Sequence, residues 1–139
     1  MTDRSLYANA RVILLSEYLF VFLPFIVIGI IKIYTADLNS FLKAADWSFA
    51  SSILFGQVLV KLVSGAVIHD NAQWQRVVLV VTLVLVLGLV PCLIILALIL
   101  IDNGNSLFLI YMQTAIFFIA TLTFFGLGSA SQVMIGNSK

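Results

Sequence analysis

The sequence predicts an all-α fold: a polytopic membrane protein built as an antiparallel bundle of four transmembrane helices. Three observations carry the prediction. The 139 residues are 63% hydrophobic and 9% charged, with a mean hydropathy of +1.19, whereas soluble domains are about 45–50% apolar and about 25% charged. Four apolar stretches each exceed the roughly 20 residues that a helix needs to cross a bilayer. Short polar breaks separate them: Asp37-Leu38-Asn39-Ser40, Asp70-Asn71-Ala72-Gln73 and Asp102-Asn103-Gly104-Asn105-Ser106. Connections this short turn each helix back along its predecessor, giving up-down-up-down topology in a single transmembrane domain, 1–139.

The first span reads as 10–35. Its apolar run is far longer than the about 7–15 residues of a signal-peptide core, so it is expected to remain as a membrane helix. It carries Glu17, the one acidic group inside a span, and Pro24, which removes a backbone hydrogen bond and predicts a kink. The segment Phe41-Leu42-Lys43-Ala44-Ala45 is apolar enough to lie as a helical turn in the interface. The second span, 47–69, is flanked by Trp47 and Trp74, which suit the two opposite membrane–water interfaces; Tyr7, Tyr34 and Tyr111 fit the same belts. At about 100° per residue, Asp46, Gln57, Lys61 and Ser64 share one face of this helix, with Gly65 beside them.

The third span, 77–101, holds Thr82 as its one obvious polar side chain and is expected to be the lipid-facing member. Pro91 predicts a second kink, and Cys92 reads as a small, inert core residue. The fourth span, 107–134, sets Thr114, Thr121, Gly128 and Gln132 on one face. Gly126 and Ala130 add a surface for close helix approach, as Ser52 and Gly56 do on the second span. Helices two and four are therefore the expected interior pair.

Lys61 is the least ordinary residue of the chain. An ammonium inside the hydrocarbon region costs a few kcal/mol at least and persists mostly where it is paired or faces water. Glu17 lies about 10 Å past Ala10, and Lys61 about 12 Å before His69, at about 1.5 Å per helical residue. Antiparallel neighbours bring those depths to one level, which predicts a Glu17–Lys61 salt bridge. Such a pair either fixes the register of two helices or belongs to a polar pathway that also includes Gln57 and Ser64.

Arg4, Arg11, Arg76 and Lys139 lie on one side of the membrane, against Lys43 and a snorkelling Lys32 on the other. That asymmetry predicts both termini in the cytoplasm; the expected location is a bacterial cytoplasmic membrane. A net charge of +1 without any basic run excludes a nucleic-acid partner. No phosphate loop, HExxH or Cys/His cluster is present, and His69 stands alone at a helix end, so neither enzyme activity nor a metal or cofactor is expected.

A chain too small to enclose a conduit can build one around a symmetry axis. The leading expectation is accordingly a homo-oligomeric channel or pore, of the kind a membrane-permeabilising effector uses. A Lys61 ring would favour anions and a Glu17 ring cations. One alternative is an immunity factor or anchor subunit that binds a second membrane protein. Another is a small proton-coupled transporter: four spans with one glutamate in the first are similar in outline to the small multidrug resistance transporters. That likeness implies a proton- and substrate-coupling role for Glu17. The chain departs from their outline in its greater length, its opposing Lys61, and a third span in which Gly88 is the only glycine.

Overall fold

A bilayer-length apolar stretch has no partner for its backbone except itself, so each such stretch here becomes a helix. The computed structural model describes residues 3–36, 43–68, 74–102 and 106–137, without the side chains of 3–7, 68 and 134–137. The helices are α1 (Asp3–Tyr34), α2 (Asp46–Ile68), α3 (Trp74–Leu83), a π-helical segment (Val84–Leu89), α4 (Val90–Asp102) and α5 (Leu107–Asn137). Within them Ala8–Tyr34, Asp46–Val67, Trp74–Asp102 and Leu107–Val133 are long and apolar enough to cross a membrane. The chain is an integral membrane protein with an all-α bundle, and the expected spans match, the largest difference being a third span that starts at Trp74 instead of 77. The expected contributions of Phe41, Leu42, His69, Asp70, Asn71, Asn103 and Lys139, and of the Arg4 and Tyr7 side chains, lie outside the described residues.

The ends of the helices have local causes. At the end of α1, Ala36 takes the left-handed conformation, φ 54°, in which helices commonly stop. The Thr35 and Ala36 amides then donate to Ile31 and Ile33 carbonyls at 3.0 and 3.2 Å. At the third connection, the Asp102 carboxylate accepts from the Ser106 amide at 2.6 Å, which ties the start of α5 to the end of α4.

The most extensive interface joins α2 to α5. These are the second and fourth spans, so they run in the same direction and form the short diagonal of a rhombus. The first span leans mainly on α5, and the third leans mainly on α2. Tyr18, Phe22 and Phe25 hold α1 in place, spaced to share one helical face. Tyr18 stacks on Phe22 at 5.6 Å, Phe22 meets Phe117 at 5.8 Å, and Phe25 meets Trp47 at 5.8 Å. Ring pairs of this geometry contribute about 0.5–1.5 kcal/mol beyond their buried area. Trp47, one residue into the second span, joins this cluster and packs edge-on against Phe117 at 5.1 Å. Trp74 remains exposed.

The third span corrects one expectation. It is peripheral, but it is covered more than the first: 28% of its apolar window is buried, against 17% for α1. Val84, Gly88, Cys92, Ile95 and Ile99 form a buried stripe at helical spacing. A helix apolar on every side carries no polarity signal for its inward face, and side-chain size decides instead. Gly88 marks the closest approach, where an added Cβ would lie 2.6 Å from Phe55 Cε1, and the Phe55 ring is itself buried. Gly88→Ala is therefore expected to cost about 1–3 kcal/mol through overpacking. It should lower the unfolding temperature in detergent, and the additional change Phe55→Leu should recover it.

The kink expected at Pro91 takes the form of the π turn that precedes it. In a regular α-helix the proline ring would collide with the carbonyl four residues back. Here the Val90 amide reaches the Leu85 carbonyl, five residues back, so the turn is widened just before the ring. Pro24, at an exposed position, is accommodated in α1 without a break in the helix.

Candidate intramembrane ion-pair site

Three helices converge where α1 presents Leu14 to α5. Gly128 makes the convergence close: a Cβ there would lie 3.0 Å from Leu14 Cδ2 and 3.9 Å from Lys61 Cδ. The bare α5 backbone thus provides the slot in which the Lys61 stem runs from α2 toward α1. At its end, Lys61 Nζ lies 2.6 Å from Glu17 Oε2, so the two residues meet as their matching depths require. The contact is an ion pair without hydrogen-bond alignment, and Glu17 Oε2 and Gln57 Oε1 are both buried with no hydrogen-bond partner among the described residues.

The two charges are unequally shielded. The Lys61 side chain is 11% exposed and that of Glu17 36%, so Glu17, although its paired oxygen Oε2 is itself buried, is the more open member of the pair. It opens into a groove of about 510 Å³ between α1 and α2, lined by Glu17, Ile53, Gly56, Gln57, Val60 and Lys61. Gly56 leaves the groove uncrowded, with no atom within 4 Å of the position its Cβ would take. In low-dielectric surroundings an uncompensated charge is far costlier than a matched pair, so the geometry neutralises the site while leaving polar atoms at a lateral surface.

No family model, curated protein or solved structure matches the chain. The site must be read from its own chemistry. The polar face expected on the second helix divides: Gln57 and Lys61 line the groove, whereas Asp46 is exposed at the start of α2 and Ser64 lies one turn beyond Lys61, outside the groove lining. On α5, Gly128 belongs to the site. Thr121 faces the Tyr18 hydroxyl at 3.4 Å, and Thr114 donates to its own helix at the Ile110 carbonyl. Gln132 is half-buried and does not line the groove. Among the described residues no three His, Cys, Asp or Glu side chains come together as metal ligands do.

A second polar cluster escaped the reading of the sequence. Near the start of α2, the buried Ser48 hydroxyl donates to Gln113 Oε1 at 3.4 Å, and the Cys92 thiol donates to the Ser48 carbonyl at 3.1 Å. Ser52 donates to that carbonyl at 2.9 Å and lies 3.3 Å from Cys92 Sγ. The cluster joins the second, third and fourth spans by interhelical polar contacts of the kind that hold membrane helices together. Ser52 is nine residues from Lys61, about 13 Å along α2, so this is a separate structural tie. Gln113 was legible as a lone amide in an apolar run; its partners became evident only with the parallel placement of α2 and α5.

Proposed function

We propose that the chain assembles in a bacterial cytoplasmic membrane as a homo-oligomeric channel or pore, with both termini cytoplasmic and the α1–α2 groove turned toward the symmetry axis. The observation that supports this reading is the open groove over the Glu17–Lys61 pair. Polar atoms left toward lipid are costly, and a register-fixing pair alone would be better sealed. Facing a water-filled axis, or a second copy, removes that cost. Gly56 allows a neighbouring helix to come close, and repetition around an axis closes the assembly. Because Glu17 is the more exposed side chain of the pair, an axial ion meets it first, which favours cations.

The test is twofold. The purified protein should run in detergent at a multiple of 15.3 kDa and give discrete conductance steps in planar bilayers. The exchanged variant Glu17→Lys/Lys61→Glu retains the pair while presenting the opposite charge, so the reversal potential in a salt gradient should change sign. A monomer without conductance overturns the proposal; unchanged selectivity removes the pair from the conduit wall.

The uncovered groove also supports a second reading, an anchor or immunity subunit that docks a helix of another membrane protein there. Its signature is bilayer silence combined with co-purification of that protein in defined stoichiometry. The proton-coupled transporter gains no support from the site, since Glu17 is engaged by Lys61.

A further inference from the structure

We infer that the cleft between α1 and α5 binds one anionic phospholipid, from the leaflet on the side of the chain termini. This cleft, of about 490 Å³, is lined by Arg11, Leu15, Leu122, Phe125, Gly126 and Ser129, and it shares no residue with the ion-pair groove. Its polarity is graded along the membrane normal. Arg11 and Ser129 form the outer end; Leu15, Phe125 and Gly126 lie about one turn deeper; Leu122 closes the inner end, about 10 Å from Ser129 along α5.

Arg11 makes the outer end a cationic site. Its side chain is exposed, and among the described residues it makes no hydrogen bond or ion pair. It also stands six residues outward of Glu17, about 9 Å nearer the membrane surface. A guanidinium at that level, with its five donors unused, suits a phosphodiester, to which arginine binds in bidentate fashion. The Ser129 hydroxyl donates to its own helix at the Phe125 carbonyl and keeps acceptor capacity toward a glycerol hydroxyl.

The inner end suits an acyl chain. Leu15 and Leu122 are exposed, and no atom lies within 4 Å of a Cβ added at Gly126. A headgroup-sized cation above an apolar channel matches a phospholipid end to end, whereas a partner helix would leave the guanidinium facing apolar side chains. If the termini are cytoplasmic, this is also the leaflet in which anionic lipids attract basic residues most strongly.

Native mass spectrometry of the purified full-length protein, titrated with phosphatidylglycerol or phosphatidylcholine of identical acyl chains, tests the inference. The wild type should bind one phosphatidylglycerol roughly tenfold or more tightly than phosphatidylcholine, the scale of a charge-assisted hydrogen bond. Arg11→Gln should abolish that preference. Gly126→Leu, which fills the channel and retains the charge, should weaken both lipids. Arg76→Gln, at an exposed arginine away from the cleft, should change neither, and unfolding temperatures without lipid should be equal for all variants. Undiminished phosphatidylglycerol affinity in Gly126→Leu would reduce the effect to surface charge and overturn the site. Loss of an oligomer in that variant, without any effect on lipid binding, would assign the cleft to protein contact instead.

Discussion

Glu17→Lys is expected to destroy the folded protein, and adding Lys61→Glu is expected to bring it back. The single change sets two ammonium groups where the structure holds a carboxylate 2.6 Å from Lys61 Nζ. Removing one partner of a fully buried ion pair costs about 3–5 kcal/mol; the 36% exposure of Glu17 lowers that figure, while the like charges at this spacing add to it. Against total stabilities of about 5–15 kcal/mol for folded domains, such a loss should leave little monodisperse protein after detergent extraction. The double exchange restores opposite charges at the same level, on stems of different length. It should recover most of the extracted yield and unfolding temperature by size-exclusion chromatography with heating. A double variant no better than the single one would show that the two helices are held by other contacts.

Gly56→Leu should act in the opposite manner, leaving the protomer intact and removing its assembly. The position of a Gly56 Cβ is open and the groove of about 510 Å³ gives the rest of the side chain room, so an unfolding temperature close to wild type is expected. The same side chain fills the floor of the α1–α2 groove, where the proposed assembly brings a second copy. Oligomer should be lost by crosslinking, and conductance in planar bilayers should fall at least tenfold, the effect of about 1.4 kcal/mol on an association equilibrium. Retained oligomer would place the interface elsewhere. The contrast with Gly88 is diagnostic, since there the Cβ position is already occupied by the Phe55 ring.

Much of the architecture was legible because the bilayer enforces simple rules. Length and hydropathy placed the four spans, short connections gave their alternation, and helical depth alone brought Glu17 to Lys61. What the sequence left hidden is size matching among apolar side chains. Gly88 and Phe55 have no polar signature, and neither has the Tyr18–Phe22–Phe25 face that fastens α1. Trp47 carried the signal of an interfacial tryptophan, which says nothing of its packing on Phe25 and Phe117. The small residues also divided in a way that spacing could not reveal. Gly128 is filled from within the chain, whereas Gly56 and Gly126, of the same residue type, stay open.

The rhombic arrangement makes α1 a rib standing on the α2–α5 pair, touched along a single line and bare on both sides. Glu17 and Arg11 are six residues apart, which sets them about 120° from each other around the helix axis. They fall to opposite sides of the inward line marked by Leu14, Tyr18 and Phe25. One helix therefore divides the surface into two compartments, the α1–α2 groove on one side, where association is proposed, and the α1–α5 cleft on the other, where a lipid is proposed. Occupants of the two need not compete for space, because the clefts on either side of this rib share no lining residue.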